Sequence, residues 1–158
     1  MDSVSTDQNT DLKTLLGALV SSGHRLTRLA ATATDDQRSP AVWRTLSALS
    51  SYGPVRLGEL ARLSRVTQPT MTKIVRNLDD LDWIKRIIDV EDKRAWLIAA
   101  TPKGLDALAE WRDTLATALL PYFADLSDDD VAAIERVVEI LDERAALDAS
   151  EAVDGEVA

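Results

Sequence analysis

The sequence predicts a mainly α-helical protein with one small β-hairpin, and three observations carry that reading. Apolar residues recur at helical spacing through long stretches of the 158 residues. Cap residues followed closely by proline mark three helix starts, at Ser39-Pro40, Thr67 with Pro69, and Thr101-Pro102. Residues 83–100 break the helical spacing and read as two β-rich runs joined by a polar loop.

Taken in order, Leu12, Leu15, Leu16, Leu19, Leu26 and Leu29 predict a long first helix over residues 11–31. The polar stretch 32–40 reads as a linker. Val42, Leu46 and Leu49 give the second helix its apolar face, and Gly53-Pro54 ends it. A short helix follows, carrying Leu57, Leu60, Ala61 and Leu63, and Ser64-Arg65-Val66 makes a tight connection to the next. In that next helix Met71, Ile74, Val75, Leu78 and Leu81 fall on one stripe, leaving Thr70, Thr72, Lys73, Arg76 and Asn77 off it. Trp83–Ile88 and Ala95–Ala100 are the predicted strands, joined by Asp89–Arg94. Trp83 and Trp96 are expected to pack between this hairpin and the core. A fifth helix carries Leu105, Leu108, Trp111, Leu115 and Leu119. Ser127 caps the last helix, where Asp128, Asp129 and Asp130 suit the positive end of the helix dipole and Val131, Ile134, Val138 and Leu141 form the stripe.

Helix, short helix, capped helix and hairpin in that order make a winged helix-turn-helix. The predicted organisation is a single domain over residues 10–148. Its winged lobe spans about 39–101, with long N- and C-terminal dimerisation helices at about 10–32 and 102–148. The ends, 1–9 and 149–158, read as disordered tails.

Composition narrows the chemistry. The chain has no cysteine, which removes disulfides, thiolate metal sites and thiol redox switching. His24 is the only histidine, so neither a metal site nor a cofactor is expected, and no catalytic constellation appears. The polar, acidic start lacks a secretory pattern, and no apolar run approaches the ~20 residues of a membrane span. A cytoplasmic protein is expected. The net charge of −9 argues at first against nucleic acid, but its distribution argues for it. Residues 51–104 hold ten Lys or Arg against seven Asp or Glu, a net +3 that leaves −12 for the rest. A basic centre on an acidic body suits a protein that meets DNA with one face only.

A helix that reads the major groove needs a buried inner stripe and an outer face of small, polar or basic residues near its N-terminus. Gln68, Thr70, Thr72 and Lys73 meet that description, with Arg65 and Thr67 just before them and Arg76 a turn further on. The same face also fits an ordinary solvated helix. A wing needs a cation for the narrow minor groove, and Arg94 suits it, with Lys93 beside it and Asp92 placed to hold the guanidinium. Read alone, this loop fits a solvated turn better; its position directly after a helix-turn-helix favours the wing. Candidate DNA contacts are therefore Arg65, Thr67, Gln68, Thr70, Thr72, Lys73, Arg76, Asp92, Lys93 and Arg94. A winged-helix module that binds protein rather than DNA is the alternative; the retained Lys73, Arg76 and Arg94 favour DNA.

The stretch LGELARLSRVTQPTMTKIVRNLDDLDWIKRIIDVEDKRAWLIAATPKG, residues 57–104, resembles the multiple-antibiotic-resistance regulator (MarR) family, and a looser resemblance covers about 10–145. Asp89, Asp92, Arg94, Ala95, Ile98, Thr101 and Gly104 match the family's wing pattern. Three positions depart from it: Asp82 for Gly, Val90 for Pro and Ala100 for Leu. Asp82 is expected to take the left-handed conformation there, which Asp tolerates less readily than Gly. The resemblance implies a homodimeric transcription regulator, most often a repressor, on a pseudo-palindromic operator. It also implies a small aromatic or amphipathic anionic effector, for which His24, Arg25, Trp43 and Trp111 are the candidate contacts. Core packing for the tryptophans and surface exposure for Arg25 is the leading reading of those residues.

Overall fold

The computed structural model describes residues 3–34 and 38–154; of residues 3–10 and 146–154 only the helical backbone is described. The expected tails thus fall partly outside the described residues, at 1, 2 and 155–158, as does the middle of the expected linker at 35–37. The elements are α1 (Ser3–Ala33), α2 (Pro40–Tyr52), β1 (Val55–Arg56), α3 (Leu57–Leu63), α4 (Gln68–Asp80), β2 (Ile84–Ile88), β3 (Trp96–Ala100), α5 (Pro102–Leu119), a 3₁₀ turn (Leu120–Tyr122) and α6 (Asp128–Asp154). They form two compact units: residues 1–37 with 113–123, and residues 38–112 with 124–158.

The second unit contains the winged helix-turn-helix, and its helix ends follow the capping signals. Ser39 accepts the Ala41 N–H at 3.3 Å ahead of Pro40. Gly53 closes α2 at φ 75°, donating its N–H to the Leu49 carbonyl. Leu46, Leu60, Met71 and Leu78 are sealed from solvent, and Leu108 of α5 is 1% exposed. Each such side chain contributes roughly 1.5–3 kcal/mol by leaving water, so these five tie α2, α3, α4 and α5 into one core. The stripe on α4 is buried at Met71, Ile74, Val75 and Leu78, while Leu81 is half-buried.

The sheet has three strands rather than two. β1 pairs antiparallel with β3 (Val55 opposite Ile98, Arg56 opposite Leu97), and β2 pairs with β3 from Ile84 opposite Ala100 to Ile88 opposite Trp96. The order β1-β3-β2 makes β3 central, and Ile98 and Ala99 are accordingly both buried. Trp83 is buried as expected, but Trp96 is 56% exposed and does not pack between hairpin and core. The two tryptophans differ because Trp83 precedes β2 at its core end, whereas Trp96 opens β3 at the wing end.

The base of the hairpin is fitted closely to α5. Asp82 has φ 59°, the left-handed conformation expected of it. Its carbonyl accepts the Thr101 hydroxyl at 2.6 Å, and the Trp83 carbonyl accepts the Thr101 N–H at 2.9 Å. The Thr101 hydroxyl oxygen in turn accepts the Gly104 N–H at 3.1 Å, capping α5. A side chain at residue 104 would collide with the Trp83 carbonyl, so only glycine allows this approach. At α6, Ser127 and Asp130 cap each other: the Asp130 N–H donates to the Ser127 hydroxyl (3.2 Å), and Asp130 Oδ2 accepts the Ser127 N–H (3.1 Å) and hydroxyl (2.6 Å). Those bonds to Ser127 hold the Asp130 carboxyl below its usual range.

In the first unit α1 exposes Leu12, Leu15, Leu16, Val20 and Leu26 along its length. In the second, α6 exposes Val131, Ile134, Val137, Val138, Ile140 and Leu141. Among the described residues no helix is long and apolar enough to cross a membrane.

Candidate nucleic-acid interface

The tight connection between α3 and α4 sets where α4 begins. Thr45 and Ser64 are fully buried, and their hydroxyl oxygens lie 3.2 Å apart. Thr45 donates to the Ala41 carbonyl at 2.7 Å, and Arg44 Nε donates to the Ser64 carbonyl at 3.3 Å. Helix α2 therefore grips the end of α3 through hydrogen bonds that are costly to leave unmade in the core. The next residue, Arg65, has φ 55°, an uncommon conformation for a residue with a side chain. Its exposed side chain stands at the turn, and the Val66 N–H closes back onto the Ala61 carbonyl at 3.0 Å.

Thr67 caps α4, its hydroxyl oxygen accepting the Thr70 N–H at 3.4 Å and lying 2.9 Å from the Thr70 hydroxyl. The Thr72 hydroxyl donates to the Gln68 carbonyl, so it is satisfied within the helix. Gln68, Thr70, Thr72, Lys73 and Arg76 are all exposed, opposite the buried stripe. At 100° per residue they do not share one line. Lys73 and Arg76 stand at the centre of the outer face, Gln68, Thr72 and Asp79 on one flank, and Thr70 and Asn77 on the other. Gly58 of α3 lies close to Gln68: a Cβ there would sit 2.9 Å from its amide nitrogen. Beside it on α3, Arg62 grips Glu59 with two hydrogen bonds, which hold the Glu59 carboxyl below its usual range.

The wing is built around Asp89. Its Oδ2 accepts both Nε (3.2 Å) and Nη2 (2.8 Å) of Arg56 on β1, and its Oδ1 accepts the Glu91 N–H at 3.0 Å. The Arg56 bonds first, then the Glu91 N–H, hold the Asp89 carboxyl below its usual range against the opposing effect of burial. The loop closes through Asp89 N–H to the Ala95 carbonyl (3.1 Å) and Ala95 N–H to the Asp92 carbonyl (2.8 Å).

Asp92 acts differently from the expectation. Its Oδ1 accepts the backbone N–H of Arg94 at 3.0 Å and holds the turn, not the guanidinium. Among the described residues the Arg94 side chain forms no ion pair, and Lys93 and Arg94 are both exposed at the loop. Aspartate reaches the N–H two residues on more easily than a long side chain that points to solvent.

The candidate effector residues fall in both units, His24 and Arg25 in the first and Trp43 and Trp111 in the second. Trp43 is 5% exposed and stacks on half-buried Trp111 with ring centroids 4.8 Å apart and planes 9° apart. Trp83 lies 5.7 Å from Trp43 on the same cluster, and the Arg38 guanidinium lies 5.2 Å from the Trp83 ring centre and 5.7 Å from that of Trp43. His24 and Arg25 are exposed neighbours on α1, where Arg25 donates to the Ser22 hydroxyl at 2.8 Å. Sequence reasoning missed Arg56, Arg44, Thr45 and Arg38. Their partners lie 33, 20, 19 and up to 45 residues away, and nothing local marks such pairs.

The description "MarR family" is carried by a family model that matches residues 39–96, from the cap of α2 to the first residue of β3. A comparison with curated protein sequences finds no match. Among solved structures, wild-type MarR from E. coli in its apo form is similar over 80% of this chain and 95% of its own, at 19% identity and a TM-score of 0.62. A probable transcriptional regulator from Pseudomonas aeruginosa is similar over 78% and 93%, at 24% identity and 0.53. The PcaV transcriptional regulator from Streptomyces coelicolor, in complex with its natural ligand, is similar over 82% and 91%, at 18% identity and 0.52. These likenesses extend the shared fold beyond the lobe. Residues 39–96 thus carry the MarR family pattern on a winged helix, and the solved structures share the fold of the chain around it.

Proposed function

We propose that this protein is a transcription regulator of the MarR family, a homodimer that binds a pseudo-palindromic DNA operator in a sequence-specific manner, in the cytoplasm, as a repressor. The observation that supports DNA most is a matched pair of exposed cationic elements on one core: Lys73 and Arg76 at the centre of the α4 outer face, and Arg94 at the wing. In this reading α4 enters the major groove and Arg94 the adjacent minor groove. Arg65, Thr67, Gln68, Thr70, Thr72 and Lys93 add contacts to bases or phosphates, and Asp92 acts by shaping the turn before Arg94. The apolar faces left open on α1 and α6 support the homodimer, with half-sites about 34–36 Å apart. An effector, a small aromatic or amphipathic anion, would release DNA by binding more tightly to a state that does not fit the duplex; His24 and Arg25 of the first unit and Trp43 and Trp111 of the second are each candidate contacts. The ligand complex of PcaV supports that part of the proposal.

The test is a binding titration on a selected duplex and a scrambled one at several salt concentrations. Arg94→Ala is expected to cost roughly 1–3 kcal/mol per contact and to flatten the salt dependence, because fewer counterions are released. Gln68→Ala is expected to relax sequence preference and leave the salt slope nearly unchanged. Wild-type protein that binds no duplex would replace this reading with a protein-binding winged helix. A stable monomer by light scattering at micromolar concentration would remove the homodimer.

A further inference from the structure

Among the described residues from 38 to 104, three large hydrophobic side chains are exposed: Ile88, Val90 and Trp96. All three lie on the wing hairpin. Ile88 and Trp96 are register partners on β2 and β3, so their side chains stand side by side on one face of the sheet. Alternation identifies that face. Ile84, Arg86 and Ile88 share it on β2, with Ala100, Ile98 and Trp96 opposite them on β3. Ile84 and Ile98 are buried in the core, and Arg86 reaches Asp79 near the end of α4 at 3.9 Å. The Ile88–Trp96 pair is thus the outward continuation of the core-facing side, turned toward α4. An exposed indole beside an exposed isoleucine on a small lobe has a cost in water that calls for an occupant.

Charge indicates which occupant. Lys85 and Arg86 precede the pair on β2, Arg86 within 3.9 Å of Asp79, and Lys93 and Arg94 lie between its two members in the chain, after Glu91 and Asp92; all six of these wing charges are exposed. Asp89, the acid next to Ile88, is already neutralised by Arg56. A major groove and its neighbouring minor groove are divided by one sugar–phosphate strand. With α4 in the first and Arg94 in the second, that strand runs past the α4-facing side of the wing.

We propose that Ile88 and Trp96 form an apolar seat for the deoxyribose rings of the strand dividing the two grooves, with Arg86 directed to its phosphates. The seat rests on the DNA reading of α4 and the wing. It deepens that reading by assigning a sequence-independent, non-ionic contact to side chains outside the cationic set. Deoxyribose is the same in every nucleotide, and an apolar contact releases no counterion. The seat should therefore strengthen binding to any duplex equally and leave the salt slope alone.

The experiment compares full-length wild type, Trp96→Ala, Trp96→Phe and Ile88→Ala on the selected and scrambled duplexes across a salt series. Light scattering and thermal unfolding are run on each. Trp96→Ala is expected to weaken both duplexes by the same factor, about tenfold, at an unchanged salt slope. Ile88→Ala should do so by about threefold, and Trp96→Phe should retain most of the affinity. Both side chains are exposed, so thermal unfolding should hardly move. Trp96→Ala binding both duplexes like wild type overturns the seat while leaving the DNA reading intact. A loss confined to the selected duplex overturns it too, as base readout. A change in oligomeric mass in Trp96→Ala overturns it in favour of a second copy of the chain. Wild-type protein that binds no duplex at all brings down the DNA reading and the seat together.

Discussion

Helix α4 and the wing hairpin stand side by side on the same lobe, yet different forces hold them. Four side chains of α4 are buried in the shared core, and the outer face makes few bonds beyond the helix. The wing beyond Ile84 and Ile98 buries little apolar surface. Its shape comes from the Arg56–Asp89 pair and two aspartate-to-backbone bonds, at Glu91 and Arg94. An element fixed by burial responds to lost volume. One fixed by charge and hydrogen bonds responds to pH and to single polar substitutions. The two elements of this lobe are therefore open to separate perturbation.

The sharpest way to separate them is a cavity under α4. Leu78→Ala removes a fully buried side chain and is expected to cost about 3 kcal/mol in chemical denaturation, with the loop at Asp89–Arg94 unaffected. A loss below about 1 kcal/mol would mean that α4 is not fixed by the core. Gly104→Ala addresses the place where the two elements share a support. The new methyl meets the Trp83 carbonyl, a backbone atom with little room to move. A cost of about 2 kcal/mol is expected, with displaced amide resonances at both Trp83 and the start of α5.

The wing-side counterparts are smaller. Asp92→Ala frees the Arg94 N–H and is expected to lower DNA affinity a few-fold while global stability changes by less than about 1 kcal/mol. The smallest effect comes from Asp89. Its carboxyl is held below the usual value by Arg56, so its contribution to stability is full above ~3.9 and is lost as pH falls through the lowered value. Denaturation of wild type and Asp89→Asn between pH 6 and pH 2.5 should show two curves that converge only in the acid range. A constant difference down to pH 2.5 would show that the carboxylate charge is not what holds the wing.

What the sequence made legible and what it did not follows the same division. Caps at Ser39, Thr67, Thr101 and Ser127 act within three residues, and the α4 stripe repeats every turn, so a linear reading finds them. The left-handed Asp82 was also legible, because the family pattern places Gly there. Arg65 at φ 55° gave no such warning: the bonds to α2 beside it are made by Ser64, with partners nineteen to twenty residues away. β1 is two residues long, too short to show alternation. The role of Asp92 was misjudged because spacing shows that two residues are neighbours, not which atoms of them meet. Trp96 was misjudged for a related reason, since hydrophobicity alone does not tell a strand's inner end from its outer end. The sequence placed the candidate residues on α4 and the wing, and the residues that fix those elements were not read from it.

The arrangement of the four tryptophans has an optical consequence. Trp43 and Trp111 lie nearly parallel at 4.8 Å, with Trp83 a further 5.7 Å from Trp43. Indoles this close share their excited states, so this trio should dominate the near-ultraviolet circular dichroism and lose that signal when the lobe melts. Trp96 stacks on no other ring among the described residues and emits from a watery surroundings at the red edge of the spectrum. The unlabelled protein thus carries two colours of intrinsic light, one reporting whether the lobe is folded and the other whether its wing is covered.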